Sequence, residues 1–269
     1  MNERTTRQSF LGEKSDEIFS KSPIAILGLC GGGSHIAQQL AHIGFENLII
    51  IDFDIVEEPN LNRMIGSCPQ DAIDRSLKID VIEKLIKSIN PKAKVTKISG
   101  KWQEHSDVLR NCVGIMGCLD SFVARDELER FCRRFLIPYI DIGMDVHKSD
   151  TGFYISGQVI TSLPESLCMR CLGYITEERL AKENEGYGNA GGNPQVIWPN
   201  GVLASIAVGQ LIKLLTPWNS ELTLSPMIDY DGNKQHSMDS PKALALEKHI
   251  CTHYSNDDLG DPFFSPTTK

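Results

Sequence analysis

The chain has 269 residues, 41% of them hydrophobic and 23% charged, with a net charge of -8 and no apolar run near the roughly 20 residues that span a bilayer. That acidic balance argues against nucleic acid or anionic membrane as a partner, because displacing phosphate counterions takes clustered Lys and Arg. Eight cysteines, mostly single and inside apolar stretches, have the usage of reduced core thiols, and with a polar start at 1–8 they point to a cytoplasmic protein.

Residues 1–22 read as an N-terminal arm. Thereafter apolar strand-like runs alternate with amphipathic helical segments, the pattern of successive βαβ units in a mainly parallel sheet with helices on both faces. A strand is predicted at 24–27, a helix at 35–43 and a second strand at 48–52. The stretch 53–77 has no clear periodicity. The segment 78–89 puts Ile79, Ile82, Leu85, Ile86 and Ile89 on one helical face, and Pro91 stops it before a strand at 94–98. Strands at 113–117 and 137–144 flank a helix at 122–135, and strand character returns at 152–160. From 164 to 200 the chain turns charged and rich in Gly and Asn, which predicts a crossover loop. A buried helix is expected at 201–215, ended by Pro217, and a disordered tail at 257–269. No linker divides the chain, so 1–269 reads as one domain.

The turn after the first strand carries Gly28, Gly31, Gly32 and Gly33, four glycines in six residues, just ahead of a helix. Glycine lets the backbone approach phosphates, and a helix N-terminus adds oriented N–H groups, so a nucleotide is the expected ligand. The turn is not a Walker A loop, and Cys30 interrupts the dinucleotide fingerprint at its second glycine. Asp52 and Asp54 end the second strand, about where a ribose-binding carboxylate belongs.

Together these residues resemble the ThiF/MoeB/ubiquitin-activating family. The elements that match are Gly28, Gly31, Gly33 and Ser34, then Asp52-Phe53-Asp54, then Asn60-Leu61-Asn62-Arg63. Lys78, Cys118-Leu119-Asp120-Ser121 and an upstream Arg7-Gln8 also fall in the family order. Cys30, Met64 and Ser121 depart from its pattern. The stretch 191–205 resembles a bacterial branch whose members accompany conjugating-enzyme-like or JAB-type protease-like proteins.

The resemblance implies a Rossmann-like fold with a C-terminal antiparallel portion, and ATP- and Mg2+-dependent adenylation of the C-terminal carboxylate of a ubiquitin-like or sulfur-carrier protein. In that reading Arg63 and Lys78 act on the phosphates, Asp120 holds magnesium, Asp54 takes the ribose hydroxyls and Asn60 orients a phosphate or its own loop. Gly28, Gly31, Gly33 and Ser34 form the nucleotide turn, supported by Asp52. Arg7 would reach the active site of a second subunit, as in family homodimers. An NAD-dependent oxidoreductase shares the first βαβ unit, and a non-catalytic partner-binding subunit shares the fold; retention of Arg63, Lys78 and Asp120 argues against both.

Cys168 and Cys171 have the spacing of half a tetrahedral zinc site, and Cys251 with His253 are the first choice to complete it. No cysteine lies between 171 and 251, so the crossover segment has no thiol to accept an activated carboxylate as a thioester. Direct handover to a separate thiol, sulfur donor or amine is expected.

Overall fold

The computed structural model describes residues 3–185, 194–218, 224–254 and 259–260. A 3-10 helix (Glu3–Leu11) and α1 (Ser15–Lys21) lead into β1 (Pro23–Leu27), α2 (Gly31–Ile43) and β2 (Asn47–Ile51). A single 3-10 turn (Glu58–Asn60) and α3 (Pro69–Ile73) precede α4 (Lys78–Ile89) and β3 (Lys94–Ile98). Another 3-10 helix (Trp102–His105), α5 (Ser106–Leu109), β4 (Gly114–Gly117) and α6 (Phe122–Arg134) come next. Then follow β5 (Tyr139–Ser149), β6 (Gly152–Ser162), α7 (Glu177–Asn184), α8 (Ile197–Leu215), β7 (Met227–Asp231), β8 (His236–Asp239) and α9 (Pro241–Ala245).

The strands form one sheet in the order β3-β2-β1-β4-β5-β6-β7-β8. The first five in that order run parallel and the last three pair antiparallel. Successive side chains of a strand point to opposite faces. Accordingly, Ile24 and Ile26 of β1 join the core under α2, α4 and α8, whereas Ala25 and Leu27 join a second core under α6 and α9. Burial on both faces explains why β1 and β2 read as unbroken apolar runs rather than alternating ones. The strand order reverses between β1 and β4, and the carboxyl ends of those strands open the crevice where ligands of such sheets bind.

The architecture matches the expected mainly parallel sheet with an antiparallel C-terminal portion. Several local readings need correction. The arm packs on the body of the protein: Leu11 and Phe19 enter the core, and Phe19 meets Phe45 at 4.9 Å between ring centroids. Within 164–200 the structure forms α7, and α8 starts four residues before the predicted 201. Thr176 caps α7 by accepting from the Arg179 N–H, a Ser/Thr cap signal inside a stretch read as loop. Most of the 257–269 tail lies outside the described residues. By length and composition α8 alone among the described helices could cross a membrane; here Leu203, Ala204, Ala207, Val208 and Leu211 are buried in the core it shares with α2.

Candidate active site and metal cluster

The turn from β1 into α2 depends on glycine at two points. Gly28 has φ +84°, and a Cβ there would lie 2.3 Å from the Cys118 carbonyl oxygen, so the turn abuts the end of β4. At Gly33 a Cβ would sit 1.8 Å from the Gly28 carbonyl oxygen. Cys30 has φ -78°, so this position does not call for the positive φ that glycine alone adopts readily. Burial raises the Cys30 thiol, while Lys78 and Arg63 are close enough to pull it back.

Asp52 braces this turn. One carboxylate oxygen accepts from the Leu29 N–H at 2.7 Å and the other from the Asp54 N–H at 2.8 Å. Burial raises its pKa despite Lys78 and those two N–H groups. Asp54 Oδ2 accepts from Lys78 Nζ at 2.7 Å, and the lysine side chain is only 7% exposed. Burial alone would lower the Lys78 ammonium, but Asp52 and the bond to Asp54 carry it above its ordinary value, so it stays charged.

Leu27–Cys30, Ile51–Asp54, Lys78, residues 100–103, residues 118–121 and Val123, Ala124 and Glu127 enclose a cavity of about 480 Å³ at the crevice, a size suited to a nucleotide. Asp120 is exposed on its wall, and the Ser121 hydroxyl beside it caps α6 by accepting from the Ala124 N–H at 3.0 Å. The next N–H groups of α6, those of Phe122 and Val123, donate to Glu183 of α7. An exposed carboxylate facing such a cavity suits Mg2+, which keeps several waters and shares phosphate oxygens.

Other predicted residues stand behind the cavity. Ser34 is buried, its hydroxyl donating to the Gly31 carbonyl and accepting from the Ile65 N–H at 3.0 Å. It ties the motif loop to α2. The Asn60 amide oxygen accepts from the Glu57 N–H at 3.0 Å and shapes its own loop. Arg63 donates to the Pro59 carbonyl and the Asn62 amide oxygen, while its Nε is buried without a partner among the described residues. Arg7 is exposed, and its neighbours Arg4 and Gln8 donate to the carbonyls of Ala41 and Ile43. It therefore sits at the far end of α2 from the glycine turn, about 20 Å away for a 13-residue helix.

A buried network missed at the sequence level lies beneath the 118–121 turn. Arg125 donates to the Leu119 carbonyl at 2.8 Å, to the Tyr174 hydroxyl at 2.6 Å and to Asp141, which also accepts from the Tyr139 hydroxyl at 2.7 Å. Arg125 precedes Leu128 by three residues and so falls on the apolar face of its helix, a signal that it is not a surface charge. Trp102, Gln103, Phe53 and Glu127 of the cavity wall were likewise missed.

The ligand atoms of Cys168, Cys171, Cys251 and His253 all lie within 4.8 Å of one another. Cys168 Sγ and Cys171 Sγ are 3.5 Å apart, and His253 Nδ1 is 3.5 and 3.3 Å from them. Three soft thiols and an imidazole at these separations fit the tetrahedron that zinc demands, with Zn–S near 2.3 Å. Behind the cluster, buried Glu129 accepts from the Met169 N–H at 2.9 Å, Ser162 at 2.6 Å and the Tyr254 hydroxyl at 2.9 Å. Glu129 thus gathers both halves of the cluster onto α6.

The ThiF family matches residues 3–253. Molybdopterin-synthase adenylyltransferase of Haemophilus influenzae is 30% identical over 126 residues, 46% of this chain and 51% of that protein. The SAMP-activating enzyme E1 of Haloferax volcanii is 28% identical, covering 56% and 53%. The Salmonella typhimurium molybdopterin-synthase adenylyltransferase is 26% identical over 81% of this chain and 82% of its own length. The chain thus spans about half the length of the first curated relatives it matches. The crystal structure of E. coli MccB with ATP shares the fold, with a TM-score of 0.71 at 21% identity over 89% of this chain and 71% of that one.

Proposed function

This chain belongs to the ThiF family, and from that premise we propose that it adenylates the C-terminal carboxylate of a small ubiquitin-like or sulfur-carrier protein with ATP and Mg2+. The observation that carries this reading is the convergence of the glycine turn, the Asp54–Lys78 pair and Asp120 on one cavity at the sheet's switch point. The partner's carboxylate oxygen attacks the α-phosphorus of ATP, the bond to pyrophosphate breaks, and an acyl-adenylate is left. No side-chain nucleophile is required. Lys78 and Arg63 supply the positive charge that brings two anions together and stabilises the phosphoryl oxygens. Asp54 has one oxygen on Lys78 and the other left for a ribose hydroxyl. Asp120 would hold Mg2+, whose contribution is to neutralise phosphate oxygens.

With no cysteine between 171 and 251, the acyl-adenylate passes directly to an external thiol, sulfur donor or amine, which a conjugating-enzyme-like partner could provide; a JAB-type protease-like protein is a further candidate partner. The Cys168, Cys171, Cys251 and His253 cluster holds one zinc ion as a structural clasp. All eight cysteines are free, in keeping with a reducing, cytoplasmic setting. The enzyme works as a homodimer with Arg7 donated between subunits. The test is ATP–pyrophosphate exchange in the presence of the partner. Asp120→Ala, Lys78→Ala and Arg63→Ala should each lower exchange by about a hundredfold or more, and exchange indifferent to all three would remove the assignment.

A further inference from the structure

We propose that Gln103, locked by Glu127, selects adenine over guanine in the nucleotide cavity. The inference rests on the nucleotide reading above and adds a base-selecting residue to it. Glycine-turn donors and Lys78 claim one end of the cavity for phosphates, and Asp54 claims the ribose. What remains is the wall after β3 and along the first turns of α6, where Trp102, Gln103 and Glu127 lie. Flat apolar surface with a few fixed polar atoms is what a purine base requires.

Gln103 Nε2 donates to Glu127 Oε2 at 2.7 Å. An amide in isolation can rotate to offer either its oxygen or its nitrogen, but an ionised carboxylate accepts only, so the nitrogen must face Glu127. The amide oxygen, with no donor among the described residues, is then the atom presented to a base. Adenine carries an exocyclic amine at C6, which donates to that oxygen. Guanine carries a carbonyl at C6 and would set two acceptors against each other, losing the bond that adenine makes; Gln103 and Glu127 are both exposed in the unliganded cavity. Glu127 touches no base in this scheme; it acts through the orientation it imposes on Gln103.

The experiment is equilibrium binding by calorimetry on the full chain, without any protein partner. The Mg2+ complexes of ATP, GTP and purine riboside triphosphate, which lacks the C6 amine, are the probes. The unaltered protein should bind ATP at least tenfold more tightly than either of the others. Gln103→Ala should abolish the difference between ATP and purine riboside triphosphate, and Glu127→Gln, which frees the amide to rotate, should narrow the ATP to GTP ratio by about tenfold. An ATP to GTP ratio unchanged in both variants, or a loss by Gln103→Ala that is equal for all three nucleotides, overturns base selection while leaving nucleotide binding intact. Failure of the unaltered chain to bind any of the three overturns the nucleotide reading along with it.

Discussion

Among single residues, Asp141 stands out because it is fully buried yet ionisable, and it anchors the guanidinium that holds the Asp120 turn. Burial pushes its carboxyl up to about 6 from 3.8, against the pull of Arg125 and the Tyr139 hydroxyl. Because the folded value is the higher one, the folded state holds the proton more tightly than the unfolded chain. The stability from this group is therefore present in full below about pH 4 and is lost as pH rises to about 6. The free energy of unfolding of the native protein, less that of Asp141→Asn, should fall by a few kcal/mol across that window and be flat above it. Below that window the native Asp141 is itself neutral, so the missing counter-charge for Arg125 is felt only where the native carboxyl ionises. Urea titrations at closely spaced pH values measure both; a difference that rises with pH would show that Arg125 dominates over burial.

Whole elements were more legible in the sequence than their connections. The helices at 78–89 and 122–134 have strong periodicity and the strand at 24–27 continuous burial, and these, with the strand at 94–98 set off by Pro91, appear within a residue of expectation. Glycine spacing and the Asp-x-Asp run fall on the crevice, whereas the Asn-x-x-Arg run stands behind it. What escaped was set by tertiary contact. Arg125 lies just after the 118–121 motif, but Asp141 and Tyr139 belong to β5, and the three come together only once β5 lies beside β4. The docking of α1 rests on Phe19 finding Phe45, 26 residues on. The loop carrying Cys168 and Cys171 and the segment carrying Cys251 and His253 lack regular structure to join them, and Glu129 of α6 serves both. Treatment with a strong chelator under reducing conditions should release one zinc per chain and lower the melting temperature by several degrees or more. Cys171→Ser should reproduce the loss, and chelator-washed protein that never contained zinc by elemental analysis would falsify the assignment.

For the molecule as a whole, α2 spans the distance between the glycine turn and the N-terminal 3-10 helix, so Arg7 lies at the end of α2 remote from its own cavity. A cation contributed to a site 20 Å distant is possible only across a subunit boundary. Arg7→Ala should lower turnover by about a thousandfold, the scale of an arginine supplied in trans, with folding unaffected. Mixing Arg7→Ala chains with Asp120→Ala chains, each inactive alone, should restore about a quarter of native activity: half the dimers are mixed, and each mixed dimer has one site with both residues intact. No recovery despite verified subunit exchange removes Arg7 from the active site.

The metal cluster also imposes a schedule on synthesis. Cys168 and Cys171 emerge from the ribosome 80 residues before Cys251 (251 − 171 = 80), an interval of about 4–16 s at 5–20 residues per second. Throughout it the nascent chain carries an unmated dithiol, open to oxidation or to capture of a softer, wrong ion. Zinc binding at this cluster would consequently be a late event in the life of the chain, and a cell short of reductant during those seconds would accumulate protein whose cluster never closes.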